Sequence, residues 1–208
     1  MSNLAADAPL HHLHRLDDES RAALFTAAKT ANSFSPVPVT DDELVSIWDL
    51  AKWPPTAANF QPMRVIYVQS PDARERLVAT MNEGNKAKTL AAPAVAVLAY
   101  DRQFHEHLPV VAPHLTSLPD YFEANEDARL SAARNNAWIQ AGYFLLAVRA
   151  EGLAAGPMGG FDAAAMDAEF FDDGNWGSFL VVNIGHPTED SYRPRLPRLE
   201  QEFTVRFA

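Results

Sequence analysis

The segment from Trp53 to Pro62 constrains the fold of this chain more than any other stretch of its sequence. Its prolines fix φ and remove backbone N–H donors, so the backbone there is rigid and cannot continue a helix. Between the prolines lie side chains that donate and accept hydrogen bonds: Thr56, Asn59 and Gln61. The pattern predicts a polar turn between a helix and a strand that is suited to holding a ligand. A turn that only reverses the chain is the alternative.

The composition indicates a folded protein that binds neither nucleic acid nor membranes. The chain has 208 residues, of which 48% are hydrophobic and 21% charged, enough to bury a sizeable core. Its net charge of -10 repels phosphate backbones and anionic lipids, so a small anion requires a local basic pocket. The absence of cysteine excludes disulfides and thiolate metal sites and fits a reducing compartment. Because no apolar run has transmembrane length and no signal peptide is evident, we expect a cytoplasmic protein.

The N-terminal residues differ in character from the rest. We expect residues 1–16 to form a flexible tail and residues 17–208 to form a single domain. The tail contains His11, His12 and His14, for which transition-metal binding is a hypothesis.

Apolar residues at helical spacing predict several helices. The first runs from Asp17 to Lys29, behind an acidic start that suits the helix dipole. The second opens at Thr40 with a capping box and ends at the proline turn. A third, from Asn135 to Leu153, is apolar almost all round and is therefore expected in the core or at a subunit interface, with Gly152 as its stop.

Short β-branched segments predict the sheet. We expect central strands at Arg64–Val68, Ala94–Tyr100 and Phe179–Ile184. The proline- and histidine-containing region Asp101–Asp127 is expected to be an irregular excursion over an active site. The whole pattern predicts an α+β fold.

Three further blocks, together with the proline turn, fit a phosphorylated planar cofactor. They are Asn85–Lys88, the glycine turn Gly156–Phe161, which we expect to follow a helix, and the arginine tail Arg193–Arg198. Such a cofactor requires cations for its phosphate, amides for its ring edges and a glycine backbone that can approach the ring. Each block also has an ordinary structural explanation, as a surface strip or a tight connection.

These blocks resemble those of the FMN-dependent nitroreductase family. Pro55–Pro62 is similar to the family's proline-serine-serine-x-asparagine-x-glutamine-proline turn, and Pro157–Phe161 to its proline-x-glutamate-glycine-phenylalanine turn. The resemblance extends from about Lys29 to Arg198. It implies an α+β fold with a mixed sheet flanked by helices, and a domain-swapped homodimer in which FMN lies at the subunit interface and contacts both chains.

The resemblance also implies which residues bind FMN. Lys29, Arg193 and Arg195 fall on phosphate-binding positions. The other implied contacts are Pro55, Thr56, Ala57, Asn59, Asn85, Lys88, Asn136, Pro157, Gly159 and Gly160.

The chain departs from the family pattern at two positions. Ser33 replaces a second N-terminal base, and Gly159 replaces the glutamate of the glycine turn. Losing a cation near the ring leaves Lys88 as the main candidate to stabilise the anionic reduced flavin.

Several segments further resemble the malonic semialdehyde reductases of pyrimidine degradation, among them Gly160–Asp162 and Arg195–Leu199. This resemblance implies that NAD(P)H reduces 3-oxopropanoate to 3-hydroxypropanoate in two hydride transfers through flavin N5. We expect Arg64 or Arg102 to offer a cation for the acidic aldehyde. The cleft-lining candidates are Trp53, Phe60 and Phe122, and the proton-donor candidates are His105, His107 and His114.

Three alternatives remain open from the sequence. The first is a broad nitro or quinone reductase, and the second is a flavin-binding protein without turnover. The third is a metal-dependent hydrolase that uses His105, Glu106, His107 and His114, although these residues lack the i, i+4 histidine spacing of known zinc helices.

Overall fold

A computed structural model describes residues 15–171 and 173–208. The three histidines of the predicted tail lie outside the described residues. One four-stranded sheet organises the fold, in the order β1-β2-β4-β3, and all of its pairings are antiparallel rather than mixed. The strands are β1 (Met63–Val68), β2 (Ala94–Asp101), β3 (Ala154–Met158) and β4 (Trp176–Gly185).

The two middle strands explain why the sequence predicted the sheet. β2 and β4 are buried along almost their whole length, because helices cover both faces, and they are therefore apolar without alternation. The three predicted strands are present, but β1 is an edge strand and its predicted central place is wrong. The sequence missed β3, because Gly156 and Pro157 disfavour a strand. Pro157 is tolerated there because β3 is the other edge.

Helices pack on both faces of the sheet. The helices of the described chain are α1 (Asp18–Arg21), α2 (Asp41–Ala51), α3 (Pro71–Ala79), α4 (Glu83–Ala91), α5 (Leu108–Val111), α6 (Leu118–Ala124), α7 (Glu126–Ala150), α8 (Ala163–Phe170) and α9 (Gln201–Thr204). One core, which contains Phe144 and Leu98, joins α2 and α7 to the sheet. A second core, which contains Leu77 and Met166, joins α3 and α8 to the opposite face.

The helix boundaries follow the predicted signals closely at two points. Thr40 forms the capping box of α2, since Glu43 N donates to Thr40 Oγ1 at 3.2 Å and Thr40 N donates to the Glu43 carboxylate at 2.7 Å. Gly152 adopts φ 75° just after α7, the left-handed conformation expected of a helix stop. The first predicted helix is shorter than expected, because α1 continues as a π-helical turn only to Thr26.

The excursion after β2 is not irregular, and that prediction is wrong. It contains a 3₁₀ turn at Phe104–His107, followed by α5 and α6. These elements build a third core around Phe60, Phe104 and Phe122, whose rings lie 4.9–5.3 Å apart. The aromatic residues supply a hydrophobic centre that orders the segment despite its prolines.

None of the helices in the described part of the chain combines the length and apolarity needed to cross a membrane.

Candidate functional site

Cations from the two ends of the chain meet beside β3. A cavity of about 290 Å³ is lined by Lys29, Arg193, Arg195 and Arg198, with backbone and small side chains between them. The Arg195 guanidinium donates to the carbonyls of Thr26 and Ala28, at 2.8 and 2.7 Å, and thereby fastens the C-terminal tail to the segment that carries Lys29. Several positive charges around one cavity make a site for an anion.

A second cavity adjoins the first. It has a volume of about 230 Å³ and shares Lys29 and Arg198 with its neighbour, but it extends to Leu145 of α7 and to Pro157 of β3. The predicted phosphate-binding bases and Pro157 of the glycine turn are therefore brought together. The two cavities give one concave region with cations along its length, including Arg149 in the second cavity, and with an apolar wall of Leu145, Ala155 and Pro157. A ligand with both charged and apolar parts suits such a site.

The glycine turn is built against the start of α4. Gly159 and Gly160 follow β3, so the prediction that they follow a helix is wrong. The Gly160 carbonyl accepts from Asn85 Nδ2 at 2.9 Å and from Asn82 N at 3.1 Å. A Cβ on Gly160 would lie 2.7 Å from Asn85 Nδ2, so a larger residue there would displace the Asn85 side chain from its hydrogen bond to the turn. By contrast, a Cβ on Gly159 would meet nothing within 4 Å, which leaves that side of the turn open to a ligand.

The proline turn is strained and internally braced. Ala58, Asn59 and Gln61 all have positive φ, at 45°, 58° and 45°, a conformation that costs energy for residues with a Cβ. The turn is held by Asn136, whose Oδ1 accepts from Ala57 N at 2.7 Å. Asn59 Nδ2 donates to Val111 O at 2.8 Å, and Thr56 Oγ1 accepts from Gln61 N at 3.2 Å.

The amides of this region therefore brace the protein itself. Asn136 is buried and its side chain is directed at the turn, whereas the resemblance had implied that it contacts FMN. Sequence reasoning missed Gln140, which is also buried and accepts from Met63 N at 2.9 Å. The signal was available, because Gln140 lies one helical turn after Asn136 in an otherwise apolar helix.

Two cations predicted near a substrate are already paired. Arg64 Nη2 lies 2.5 Å from Asp101 Oδ2, and Arg102 Nη2 lies 3.0 Å from Asp167 Oδ2. Phe60 and Phe122 are buried in the third core, whereas Trp53 is 65% exposed. In a single chain, Arg64 and Arg102 are thus engaged by carboxylates and the two phenylalanine rings by the third core, and a role for any of them toward a substrate stays a prediction.

The histidines of the excursion do not converge. His105 is buried, and its Nε2 lies 2.9 Å from the carboxylate of Glu123. The hydrogen bond between them holds the pKa of Glu123 below its ordinary value. His107 instead lies 3.4 Å from Asp101, and His114 is exposed. Within residues 15–171 and 173–208, no three potential ligands among His, Cys, Asp and Glu group around a metal position, which gives the hydrolase alternative no support.

The candidate site residues fall into two sets at opposite edges of the sheet. The segment after Lys29 bonds to β3, since Ala31 N donates to Ala155 O at 3.0 Å, and Ala31 also pairs with Tyr192 just before the arginine tail. The glycine turn follows β3 and contacts Asn85 of α4, the helix that carries Lys88, whereas the proline turn leads into β1. Three strand spacings of about 4.8 Å separate these edges, which amounts to about 14 Å. Neither cavity beside Lys29 is lined by a residue of the proline turn. One chain therefore holds the candidate residues in two separate sets, one along β3 and one at the proline turn.

Comparison with known proteins identifies the family. The model described as "Nitroreductase family" matches residues 27–186. A Streptomyces coelicolor protein named "Putative NADH dehydrogenase/NAD(P)H nitroreductase" is 53% identical, over 94% of this chain and 97% of its own length. This chain belongs to the nitroreductase family, as its two turn motifs predicted.

Two solved structures share the fold. A "putative nitroreductase" from Bacillus subtilis has a TM-score of 0.81 and 24% identity, covering 91% of this chain and 99% of that one. A "putative nitroreductase in complex with FMN" from Exiguobacterium sibiricum has a TM-score of 0.81 and 16% identity, covering 95% of this chain and 100% of that one. The predicted α+β, nitroreductase-like fold is confirmed, and so is the prediction of an enzyme of this family.

Proposed function

We propose that this protein is an FMN-dependent NAD(P)H oxidoreductase. The observation that carries the proposal is the meeting of Lys29, Arg193 and Arg195, from opposite ends of the chain, around one cavity. That cavity adjoins a second one, which reaches Pro157 of the glycine turn. When bound, FMN supplies hydride acceptance from a nicotinamide and hydride donation to an acceptor. The names of the curated relatives, which mention NAD(P)H nitroreductase, support the same reaction class.

The residues present fit FMN at both of its ends. The cationic cavity suits a phosphate, which forms its strongest hydrogen bonds with arginine and lysine. At the glycine turn, Gly160 admits the close contact with Asn85, and the open side of Gly159 lets a flat ring approach the backbone. The neighbouring Lys88 of α4 is the cation that we assign to stabilising negative charge on the ring.

We also propose that the active unit is a domain-swapped homodimer, in which the proline turn of one protomer completes the site built on β3 of its partner. Support comes from the separation of the two half-sites and from apolar side chains that a monomer would leave in water. Trp138, Ile139 and Tyr143 of α7 are 43–46% exposed, and Phe203 and Phe207 of the C-terminal segment are 73% and 89% exposed. Exposed apolar surface of this extent marks an interaction surface.

Complementation tests this arrangement. Arg195→Ala impairs the β3 half-site, and Ala57→Phe obstructs the exposed proline turn. Each variant alone is expected to bind FMN poorly. In a two-fold symmetric dimer, the mixed dimer of the two variants contains one site with both defects and one intact site. We expect FMN binding at about half of the sites of the isolated mixed dimer; no recovery would contradict a shared site, and a monomer in sedimentation would contradict the dimer.

Two acceptor classes remain as proposals. The segments resembling malonic semialdehyde reductases favour 3-oxopropanoate as the substrate. The ion pairs of Arg64 and Arg102 instead favour an acceptor without a carboxylate, such as a nitroaromatic or a quinone. We propose 3-oxopropanoate as the first substrate to test, with the nitro or quinone acceptors as the second.

The test is anaerobic spectroscopy of the purified protein. We expect flavin absorption bands that bleach on addition of NADH or NADPH and return with one acceptor, which then identifies the substrate class. Bleaching without return by any acceptor would favour a flavin-binding protein without turnover. Failure to bind added FMN would overturn the proposed function.

The proposed cofactor, the lack of cysteine and the acidic charge together lead us to propose a cytoplasmic enzyme that acts on small molecules.

A further inference from the structure

We propose that Arg74 of α3 is a positioning residue that fixes α4 and, through it, places Lys88 beside the cofactor. The inference rests on the proposed function, because it concerns how this chain presents Lys88 to FMN. Arg74 was not among the residues that the sequence singled out.

Arg74 is a buried cation that hydrogen-bonds to backbone carbonyls. Its side chain lies in the second core region, and the residue is only 5% exposed. Nη1 donates to Thr89 O at 3.3 Å and Leu90 O at 3.5 Å, and also to Ala92 O. Nη2 donates to Val68 O at 3.1 Å and Pro93 O at 3.0 Å. Burial lowers the pKa of Arg74, but a guanidinium stays protonated in proteins, so the charge remains.

These carbonyls belong to the end of α4 and to the strands beside it. The last carbonyls of a helix have no partner within the helix and form the negative end of its dipole. Here one planar guanidinium satisfies two of them, at Thr89 and Leu90, and ties them to the end of β1 and the start of β2. Arginine suits this role because its donors form a rigid fork, which lysine cannot reproduce.

The hydrogen bonds of Arg74 matter for the site because, together with contacts at the glycine turn, they fix both ends of α4. At its start, Asn85 and the backbone of Asn82 hold the Gly160 carbonyl. At its end, Arg74 holds Thr89, the residue directly after Lys88. Within the described chain, the Lys88 ammonium forms no ion pair. Its position relative to the glycine turn is therefore set by the helix that carries it.

The experiment compares Arg74→Met and Arg74→Lys with a matched control, Leu77→Ala. Leu77 lies on the same helix and is fully buried, so Leu77→Ala destabilises the protein by leaving a cavity while keeping the hydrogen bonds of Arg74 to the end of α4. FMN affinity is measured by flavin fluorescence at a temperature at which circular dichroism shows each variant folded. We expect Arg74→Met to weaken FMN binding about tenfold, the scale of one lost charge-assisted contact, and Leu77→Ala to leave it unchanged. If Leu77→Ala weakens binding equally, the role of Arg74 is structural and the proposal fails.

A second readout separates positioning from stability. If Arg74 acts through Lys88, both Arg74→Met and Lys88→Met lower the reduction potential of bound FMN, because each withdraws a cation from the reduced ring. The double variant R74M/K88M is then expected to be no worse than K88M, since removing the positioned group makes its positioning irrelevant. Additive losses would overturn the proposal, as would an unchanged potential in Arg74→Met.

Arg74→Lys keeps the charge and is the variant to use if Arg74→Met does not fold. We expect Arg74→Lys to weaken FMN binding as well. Unchanged FMN binding in Arg74→Lys would overturn the proposal. If the wild-type protein binds no FMN, the proposed function and this inference both fail. If it binds FMN and neither Arg74 variant changes the affinity, only the positioning role fails.

Discussion

Replacing Ala58 by glycine should stabilise the protein, although glycine normally destabilises. Ala58 lies in the proline turn with φ 45° and ψ 32°, and it is exposed, so no packing is lost. The left-handed conformation costs a residue with a Cβ about 1–2 kcal/mol. Glycine avoids that cost but loses about 0.5–1 kcal/mol through the greater freedom of the unfolded chain. The net expectation is a gain of about 0.5–1 kcal/mol.

A matched control makes the result decisive. Ala168 is exposed and lies within α8, where glycine costs about 1 kcal/mol. Urea unfolding at one fixed protein concentration should therefore separate Ala58→Gly from Ala168→Gly by about 1.5–2 kcal/mol, with unchanged m-values. If both variants lose the same stability, Ala58 does not carry backbone strain and the account of the turn is wrong.

Three other variants test the site and one cap. Arg195→Ala should weaken FMN binding about tenfold or more, whereas Arg76→Ala, which removes an exposed ion pair, should not; equal titrations would contradict the phosphate role. Gly160→Ala should also weaken FMN binding, because its Cβ would lie 2.7 Å from a side-chain amide of α4, while Gly84→Ala fills open space and should not. The capping hydrogen bonds lower the pKa of Glu43 below 4.5 in the folded state, so its charge stabilises the protein above that pH and the benefit is lost as the pH falls through the folded pKa. The stability difference between the wild type and Glu43→Gln should therefore shrink below about pH 4.5 in urea titrations; a constant difference would contradict the cap.

The sequence predicted those elements whose local residue pattern matches the burial and capping that they have in the fold. β2 and β4 are continuous apolar runs because both of their faces are covered, and α2 has a complete cap. β3 escaped prediction because its place at the edge makes a proline acceptable, and edge position is a property of the whole sheet. The excursion was misjudged because its helices are short and depend on aromatic packing, including a ring supplied by Phe60 of the proline turn.

The candidate site was predictable in its parts and not in its arrangement. The motif resemblance led to Lys29 and Arg195, and the structure places them at one cavity although most of the chain lies between them. The same resemblance gave Asn136 a ligand-facing role, whereas its side chain braces the turn. Residue type shows that an amide will form hydrogen bonds, but only the fold decides whether a ligand or the backbone receives them.

The internal hydrogen bonds of the proline turn suit the proposed dimer. A turn that contacted a cofactor bound by its own chain could be ordered partly by that cofactor. A turn that acts on the partner's site binds at lower cost if it already has its shape when the two chains meet. The hydrogen bond that Asn136 accepts from Ala57 N, the one that Asn59 donates to Val111 O, and the burial of Phe60 in the third core supply that order from within one chain. In the proposed dimer, the amides that the sequence offered to a ligand would instead hold this strained turn in the shape that the partner's site requires.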